Sequence, residues 1–327
     1  MAERAQVSVA TVTRVINHSG YVSDKARLAV TRAIEELGYI PNRMASALKG
    51  KSTGVIGIVN PPLGTNPFFV NLHVALDRAA SQFGYRILSM VTSGDPNDET
   101  ALLHELMGRR VDGIFFIGDT AVSRETILGI TDRGIPVVML ERPRDIPSVD
   151  KVYVNAWNRS AAEQFLSGGH RRVAYVGVEL RHQVEIGRYE GFQQALEQSN
   201  VRLSEEMTLF VDEYTGPNGY EAMRRLLNMP ERPTAVFLAS DILALGALQC
   251  LYDAHLRVPD DISVIGYDDT LASMSSPPIS SVALPIQEMA KTAVALFLER
   301  KKEDREVGKS VMIEPYFVDR HTVKRLT

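Results

Sequence analysis

The chain has one cysteine, one tryptophan and few aromatic residues overall (7%) among its 327 residues. The single thiol, Cys250, excludes an internal disulfide and any zinc site built from paired cysteines. Its place on an apolar helical pattern assigns it to core packing. No stretch approaches the roughly eighteen uninterrupted apolar residues that a membrane helix needs. The start does not read as a signal peptide, so a soluble, cytoplasmic protein without a membrane partner is expected. Catalytic signatures are missing as well. There is no His-Glu-x-x-His and no Gly-x-Ser-x-Gly, and the seven histidines are scattered. A dinucleotide-binding enzyme would carry Gly-x-Gly-x-x-Gly after its first strand, where Asn60-Pro61-Pro62-Leu63-Gly64 stands. Gly50-Lys51-Ser52 matches the end of a phosphate-binding P-loop, but Ala45 replaces its first glycine and the preceding residues look helical. These absences argue against an enzyme and leave no catalytic residue, metal ligand or cofactor to nominate. No repeat of roughly 20–50 residues is evident.

What the chain does have is an uneven distribution of charge. The first 51 residues hold eight Lys or Arg against four acids, a net +4, so the remainder must carry −8 to reach the total of −4. A small basic module on a larger acidic body suggests that one part meets a polyanion. Within the module, Glu3 to Ala5 reads as the tail of one helix. Ser8 suits the N-cap of a second, on which Val12, Val15 and Ile16 share a face. Ser23 caps a third, from about Asp24 to Leu37, with a stripe of Leu28, Ala29, Ala33, Ile34 and Leu37. Gly38 stands at the left-handed C-terminal position and Pro41 forbids continuation.

That arrangement is a helix-turn-helix, whose second helix would enter the DNA major groove. Val9 and Ala10 suit apolar contacts with base edges, Thr11 and Thr13 phosphate or base contacts, and Arg14 a guanine or a phosphate. An ordinary three-helix packing element with solvated charges has the same pattern. Residues 42–51 then read as a helix of barely two turns, too short to be stable alone. Its small residues Ala45, Ser46 and Ala47 permit close approach to a twin helix. Leu48 can wedge between base steps in the minor groove, or pack on the body as a linker leucine.

Val7 through Asn17, then Gly38-Tyr39-Ile40-Pro41-Asn42, then Ala45 and Leu48, resemble the headpiece and hinge of the lactose/galactose repressor family, and the similarity runs through nearly the whole chain. The resemblance implies a bacterial transcription regulator that binds a near-palindromic double-stranded operator as a homodimer and answers to a small-molecule effector. By matching position, Ser8 to Asn17 carry the recognition helix and Leu48 is the minor-groove lever. Two departures stand out. Family headpieces begin several residues earlier, so an upstream start and a weakened hold on the operator are expected. Gln6 stands in the turn where the family commonly has Gly, which implies some backbone strain. The end of the chain shows no heptad pattern, so a dimer is expected rather than a coiled-coil tetramer.

The body, about 52–327, is long enough for two cores. Near-continuous apolar runs alternate with helical patterns: Val55–Val59, Tyr85–Met90, Gly113–Ile117 and Pro136–Leu140, then Val173–Gly177, Ala235–Leu238 and Ile262–Ile265. Such strands with helical crossovers mean parallel sheets covered on both faces. The expected architecture is therefore an all-α headpiece (1–41), a hinge helix (42–51) and a periplasmic-binding-protein-like α/β body of two doubly wound lobes. The first lobe would take about 52–150 and 278–314, the second 151–277 and 315–327.

In open sheets of this kind a ligand sits beyond the C-terminal strand ends. Asn66-Pro67-Phe68-Phe69, Asp119, Glu141, Arg142, Arg188, Ser240-Asp241 and Tyr267-Asp268-Asp269 all follow strands. Arg188 and Asp268 offer a donor fork and an acceptor for adjacent hydroxyls. The resemblance places effector contacts at Phe68, Phe69, Arg188 and Asp268, with Tyr214 and His182 near pocket positions. Arg142 completes the expected set. Plainer roles remain open: Asp241 as a helix cap, Phe69 in the first-lobe core, Glu141 and Arg142 as a mutual pair. The effector class stays broad, with a sugar or sugar derivative first and sugar acids, sugar phosphates or purines behind it. A free-standing solute-binding protein and a doubly wound nucleotide-binding enzyme are the competing readings.

Overall fold

The computed structural model describes residues 1–16, 20–39, 52–61, 66–180, 183–303 and 305–326. The expected contacts Asn17, Leu48 and His182, and the hinge segment 42–51, lie outside the described residues. The chain divides into two compact units, Met1–Thr53 and Gly54–Thr327.

The small unit contains α1 (Ala2–Ala5), α2 (Val9–Ile16) and α3 (Asp24–Glu36). Ser8 caps α2: its hydroxyl accepts from the Thr11 N–H at 3.1 Å. Gln6 adopts left-handed backbone (φ 49°, ψ 42°), the strained conformation that a glycine would take freely, and the turn still closes through Val7 N–H to Ala2 C=O. Gly38 has φ 56°, and the Tyr39 N–H reaches back to the Ile34 carbonyl to end α3.

A miniature core joins Ala5, Val12, Val15, Val22, Val30 and Ala33. This corrects the stripe expected on α3, because Leu28 and Leu37 are more than half exposed. Val30 and Ala33 face the core, and at about 100° per residue Leu28 points to the opposite side. Leu37 lies just past the last helical residue.

The large unit holds two six-stranded sheets. The first contains β1 (Val55–Asn60), β2 (Arg86–Val91), β3 (Gly113–Ile117), β4 (Val137–Leu140), β5 (Asp150–Val154) and β11 (Ser310–Ile313), in the order β11-β5-β4-β3-β1-β2. The second contains β6 (Val173–Val178), β7 (Thr208–Val211), β8 (Ala235–Leu238), β9 (Ser263–Asp268), β10 (Ser280–Ala283) and β12 (Tyr316–Val318), in the order β12-β10-β9-β8-β6-β7. Every pairing is parallel except that of β10 with β12.

Helices α4 (Pro67–Ser81), α5 (Pro96–Gly108), α6 (Arg124–Thr131) and α11 (Ile286–Arg300) belong to the first lobe. Residues of α4 and α11 fill one face of the first sheet, and those of α5 and α6 the other. Helices α7 (Ser160–Ser167), α8 (Gln183–Glu197), α9 (Gly216–Leu227) and α10 (Asp241–Asp253) enclose the second. This coverage is why the inner strands read as unbroken apolar runs.

The chain passes between lobes at 155–159, 284–285 and 314–315. The first two passages shift the expected boundaries at 150 and 278. Asp150–Val154 had the mixed polarity of a linker but forms a strand between β4 and β11, and Ser280–Ala283 pairs with β9 inside the second sheet. The crossing segments hold one another, with the Asn155 amide donating to both Glu314 carboxylate oxygens at 3.1 Å. The first crossing lies flush on α8. A Cβ at Gly187 would come within 2.7 Å of Ala156 Cβ, and one at Gly191 within 2.7 Å of the Trp157 backbone, so any larger residue would lift the crossing off the helix.

Candidate functional site

The C-terminal ends of the strands in both sheets open onto one cleft of about 460 Å³. The first lobe supplies Asn66, Phe68 and Phe69 after β1 and Glu141 and Arg142 after β4. The second supplies Glu185 and Arg188 on α8, Tyr214 after β7 and Asp268 at the end of β9. Six of the expected effector contacts (Phe68, Phe69, Arg142, Arg188, Tyr214 and Asp268) therefore line a single cavity.

Phe68 is also part of the first-lobe core, and Phe69 packs edge-on against it with centroids 5.3 Å apart. The Arg188 guanidinium lies 3.6 Å above the Tyr267 ring, donates to the Ala239 carbonyl and reaches the Tyr214 hydroxyl at 3.3 Å. A planar fork gripped on one face by an aromatic ring presents its edge in a fixed direction.

Arg142 and Asn66 each reach across to the second lobe. Arg142 donates to Glu185 Oε1 at 2.5 Å while also holding Asp119 (2.9 Å) and Glu141 (3.2 Å) on its own lobe. The open pairing of Glu141 with Arg142 is thus real, yet it is one part of a larger cluster. Asn66, whose carbonyl caps α4 at the Phe68 N–H (2.9 Å), hydrogen-bonds Asp268 across the cleft. Sequence reasoning missed Glu185, Asp212, Glu213 and Leu284. Glu185 lies three residues before Arg188, and helical spacing from that arginine would have placed it on the same face.

Asp241 is corrected. Ser240, not Asp241, caps α10, accepting from the Ile242 N–H at 3.2 Å. One oxygen of the buried Asp241 carboxylate takes the N–H groups of Thr270, Leu271 and Ala272 at 2.7, 3.0 and 3.1 Å, and the other takes the Ser281 hydroxyl at 2.8 Å. It clamps the loop that follows Asp268. Glu99 does the same in the first lobe, taking the Ala121 and Val122 N–H groups at 2.9 and 3.2 Å beside Asp119. Glu141, Asp268 and Asp269 have φ of 71°, 96° and 54°. Non-glycine residues hold such backbone only where their surroundings impose it, and it concentrates at functional sites.

Burial pushes the Glu141 carboxyl up to about 7 and the Asp268 carboxyl up to about 8; neighbouring arginines offset part of this in each case. An unfolded chain would release both protons near the ordinary carboxylate values. The folded chain therefore binds more protons over the interval, and stability present at low pH is lost as pH rises through the folded values. Without ligand, the Tm should fall between about pH 5 and about pH 8 and then level. Replacing Glu141 with Gln and Asp268 with Asn should flatten that slope; identical slopes in parent and double variant would show that neither acid carries the raised value.

In the small unit, Ser8, Val9, Ala10, Thr13 and Arg14 form an exposed face of α2 opposite the buried Val12 and Val15, and Thr11 is half-buried. Val9 is 72% exposed, an unusual place for an apolar side chain. The Thr11 and Ser8 hydroxyls pair at 2.9 Å, and the Thr13 hydroxyl donates to the Val9 carbonyl at 2.9 Å. A contact with DNA through Thr13 would thus use its methyl or its lone pairs unless that bond breaks.

A helix-turn-helix unit on the same chain as a two-lobed body with an interlobe cleft defines a ligand-responsive DNA-binding regulator. Residues 1–42 match the model for bacterial regulatory proteins of the lacI family, and 162–323 match the periplasmic binding protein-like domain. The HTH-type transcriptional regulator DegA of Bacillus subtilis (strain 168) is 33% identical over 100% of this chain and 97% of its own length. A solved complex of the transcriptional regulator CelR with cellobiose is 30% identical, with a TM-score of 0.71 and 98% of both chains covered. The Lac repressor dimer bound to operator and the anti-inducer ONPF is 25% identical, with a TM-score of 0.83 and 99% and 97% covered. The chain belongs to the lacI family of bacterial regulatory proteins, and is a DNA-binding transcription regulator.

Proposed function

We propose that this chain is a dimeric, cytoplasmic repressor whose affinity for a near-palindromic double-stranded operator is set by a sugar or sugar derivative held between the lobes. The observation that carries the reading is the convergence of Phe68, Phe69, Arg142, Arg188, Tyr214 and Asp268 on one interlobe cleft at the strand ends. The aromatics supply an apolar wall, and Arg188 and Asp268 supply the donor and acceptor for neighbouring hydroxyls. His182 joins them in this proposal. The cellobiose of the CelR complex and the operator-bound Lac repressor dimer support the ligand class and the dimeric state.

Ser8, Val9, Ala10, Thr11, Thr13, Arg14 and Asn17 are assigned to the operator contact and Leu48 to the minor-groove wedge, with a headpiece at 1–41 and a hinge at 42–51. A free-standing solute-binding protein has no use for the helix-turn-helix, and no observation favours a catalyst. The coupling is a linkage: a ligand that prefers one lobe angle shifts operator affinity only by its difference in affinity for the two states.

The test is operator binding of the full chain with and without ligand. Operator affinity unmoved by every small molecule that binds the cleft would remove the effector role. Leu48→Ala should weaken binding to the specific duplex by about tenfold or more and to random duplex far less, because only the specific complex repays the unstacking of base steps. Equal losses on both duplexes would sink the wedge assignment.

A further inference from the structure

The charges around the cleft go beyond hydroxyl recognition. Five carboxyl groups line it (Glu141, Glu185, Asp212, Glu213 and Asp268) against two guanidiniums, Arg142 and Arg188, and burial keeps Glu141 and Asp268 partly protonated at neutral pH. Arg142 is committed to acids, and Arg188 is held in place but not used up. Arg142 is shared by Asp119, Glu141 and Glu185, and Arg188 is held by the Ala239 carbonyl, the Tyr214 hydroxyl and the Tyr267 ring. Arg188 Nε is left without a partner, a single N–H for a ligand oxygen to meet among the carboxyl groups that surround it.

The polar atoms left over are mainly acceptors. The Glu185 side chain is 4% exposed, and its Oε2 has no hydrogen-bond partner although it lines the cleft. Glu141 Oε2 lies 3.1 Å from Arg142 Nε but takes no hydrogen bond. A buried carboxylate oxygen without a donor is costly, and a ligand hydroxyl or ammonium aimed at it relieves that cost. A phosphate or carboxylate brought to the same place meets like charge in a low dielectric.

We infer that the cleft takes a polyhydroxyl ring that is neutral or bears an amine, and rejects the phosphorylated or acidic form of the same sugar. The ligand's own O–H or N–H groups donate to Glu185 Oε2 and Glu141 Oε2. The inference rests on the proposed effector site and narrows it, setting aside sugar acids and sugar phosphates.

The experiment uses the full chain without DNA and matched triads built on glucose, galactose and ribose: the parent sugar, its amino derivative and its phosphate. Thermal shift and calorimetry should show a parent or amino sugar binding at least about tenfold more tightly than the phosphate of the same triad. Glu185→Gln removes one buried charge and loosens its hold on Arg142, and should narrow that ratio. A phosphate that binds as well as its parent overturns the inference, as does a ratio untouched by Glu185→Gln. So does a protein stabilised by a purine and by no triad member. Because these readings are taken without operator, they stand apart from the effector reading, which fails only when a bound ligand leaves operator affinity unchanged.

Discussion

Asp268→Ala is expected to reduce ligand affinity by about a hundredfold or more while operator affinity in the absence of ligand stays within about twofold. The side chain lies in the cleft, is 4% exposed and receives Asn66 from the opposite lobe. Removing it deletes the proposed acceptor for two adjacent hydroxyls and the contact with Asn66 across the cleft at once. Hydrogen bonds to charged or buried acceptors contribute about 1.5–3 kcal/mol each, and two of them account for the factor. The proposed operator contacts belong to the other compact unit, so the loss should appear in the response to ligand and not in basal DNA binding.

Asp268→Asn is the informative companion. Asn tolerates positive φ as Asp does, so it keeps the backbone and changes only charge and donor pattern. A parent-like ligand response in Asp268→Ala would remove this residue from the site.

Asp241→Ala should lower the Tm of the body by roughly ten degrees. Its carboxylate is the acceptor for three consecutive backbone N–H groups and one hydroxyl, all in the second lobe. Alanine leaves those donors without their acceptor, at up to about 1–3 kcal/mol for each buried group, and water entering the vacated space returns part of that cost. A total loss of about 3–5 kcal/mol, at roughly 2–4 °C per kcal/mol for a body of this size, gives the expected shift. Ligand affinity should fall with it, because the freed loop begins one residue after Asp268. Asp241→Asn keeps one acceptor oxygen and should fall between parent and alanine. A Tm within a degree of the parent would mean that the loop is held by something other than this carboxylate.

Much of this architecture is legible in the sequence because its rules are local. Val55–Val59 and Ala235–Leu238 are apolar throughout since helices cover both sheet faces, and a reader needs no partner strand to see that. Asp150–Val154 and Ser280–Ala283 escaped because their polar residues are satisfied by distant chain. Asp150 is ion-paired with Arg305 at 2.8 Å, and Ser280 is bonded to Thr322 and Asp319. A strand that depends on such partners looks like a linker until the fold supplies them. Phe68, Arg188 and Asp268 were findable because each follows or closes a strand. The pairing of Glu185 with Arg142 and the role of Asp241 were not visible there, since each acts on residues tens of positions away.

By itself the sequence determined a helix-turn-helix, two parallel-sheet lobes and the set of strand-end residues from which a site could be drawn. Hydrophobic period, capping residues and Gly38 fix these within a few neighbouring positions. Only the tertiary structure decided what the site's charges do. Folding sets Glu185 against Arg142, 43 residues away, and Asn66 against Asp268, and it forces Glu141 and Asp268 into left-handed backbone. Charge commitment and desolvation are properties of what surrounds a group in three dimensions, and the order of residues along a chain does not contain them.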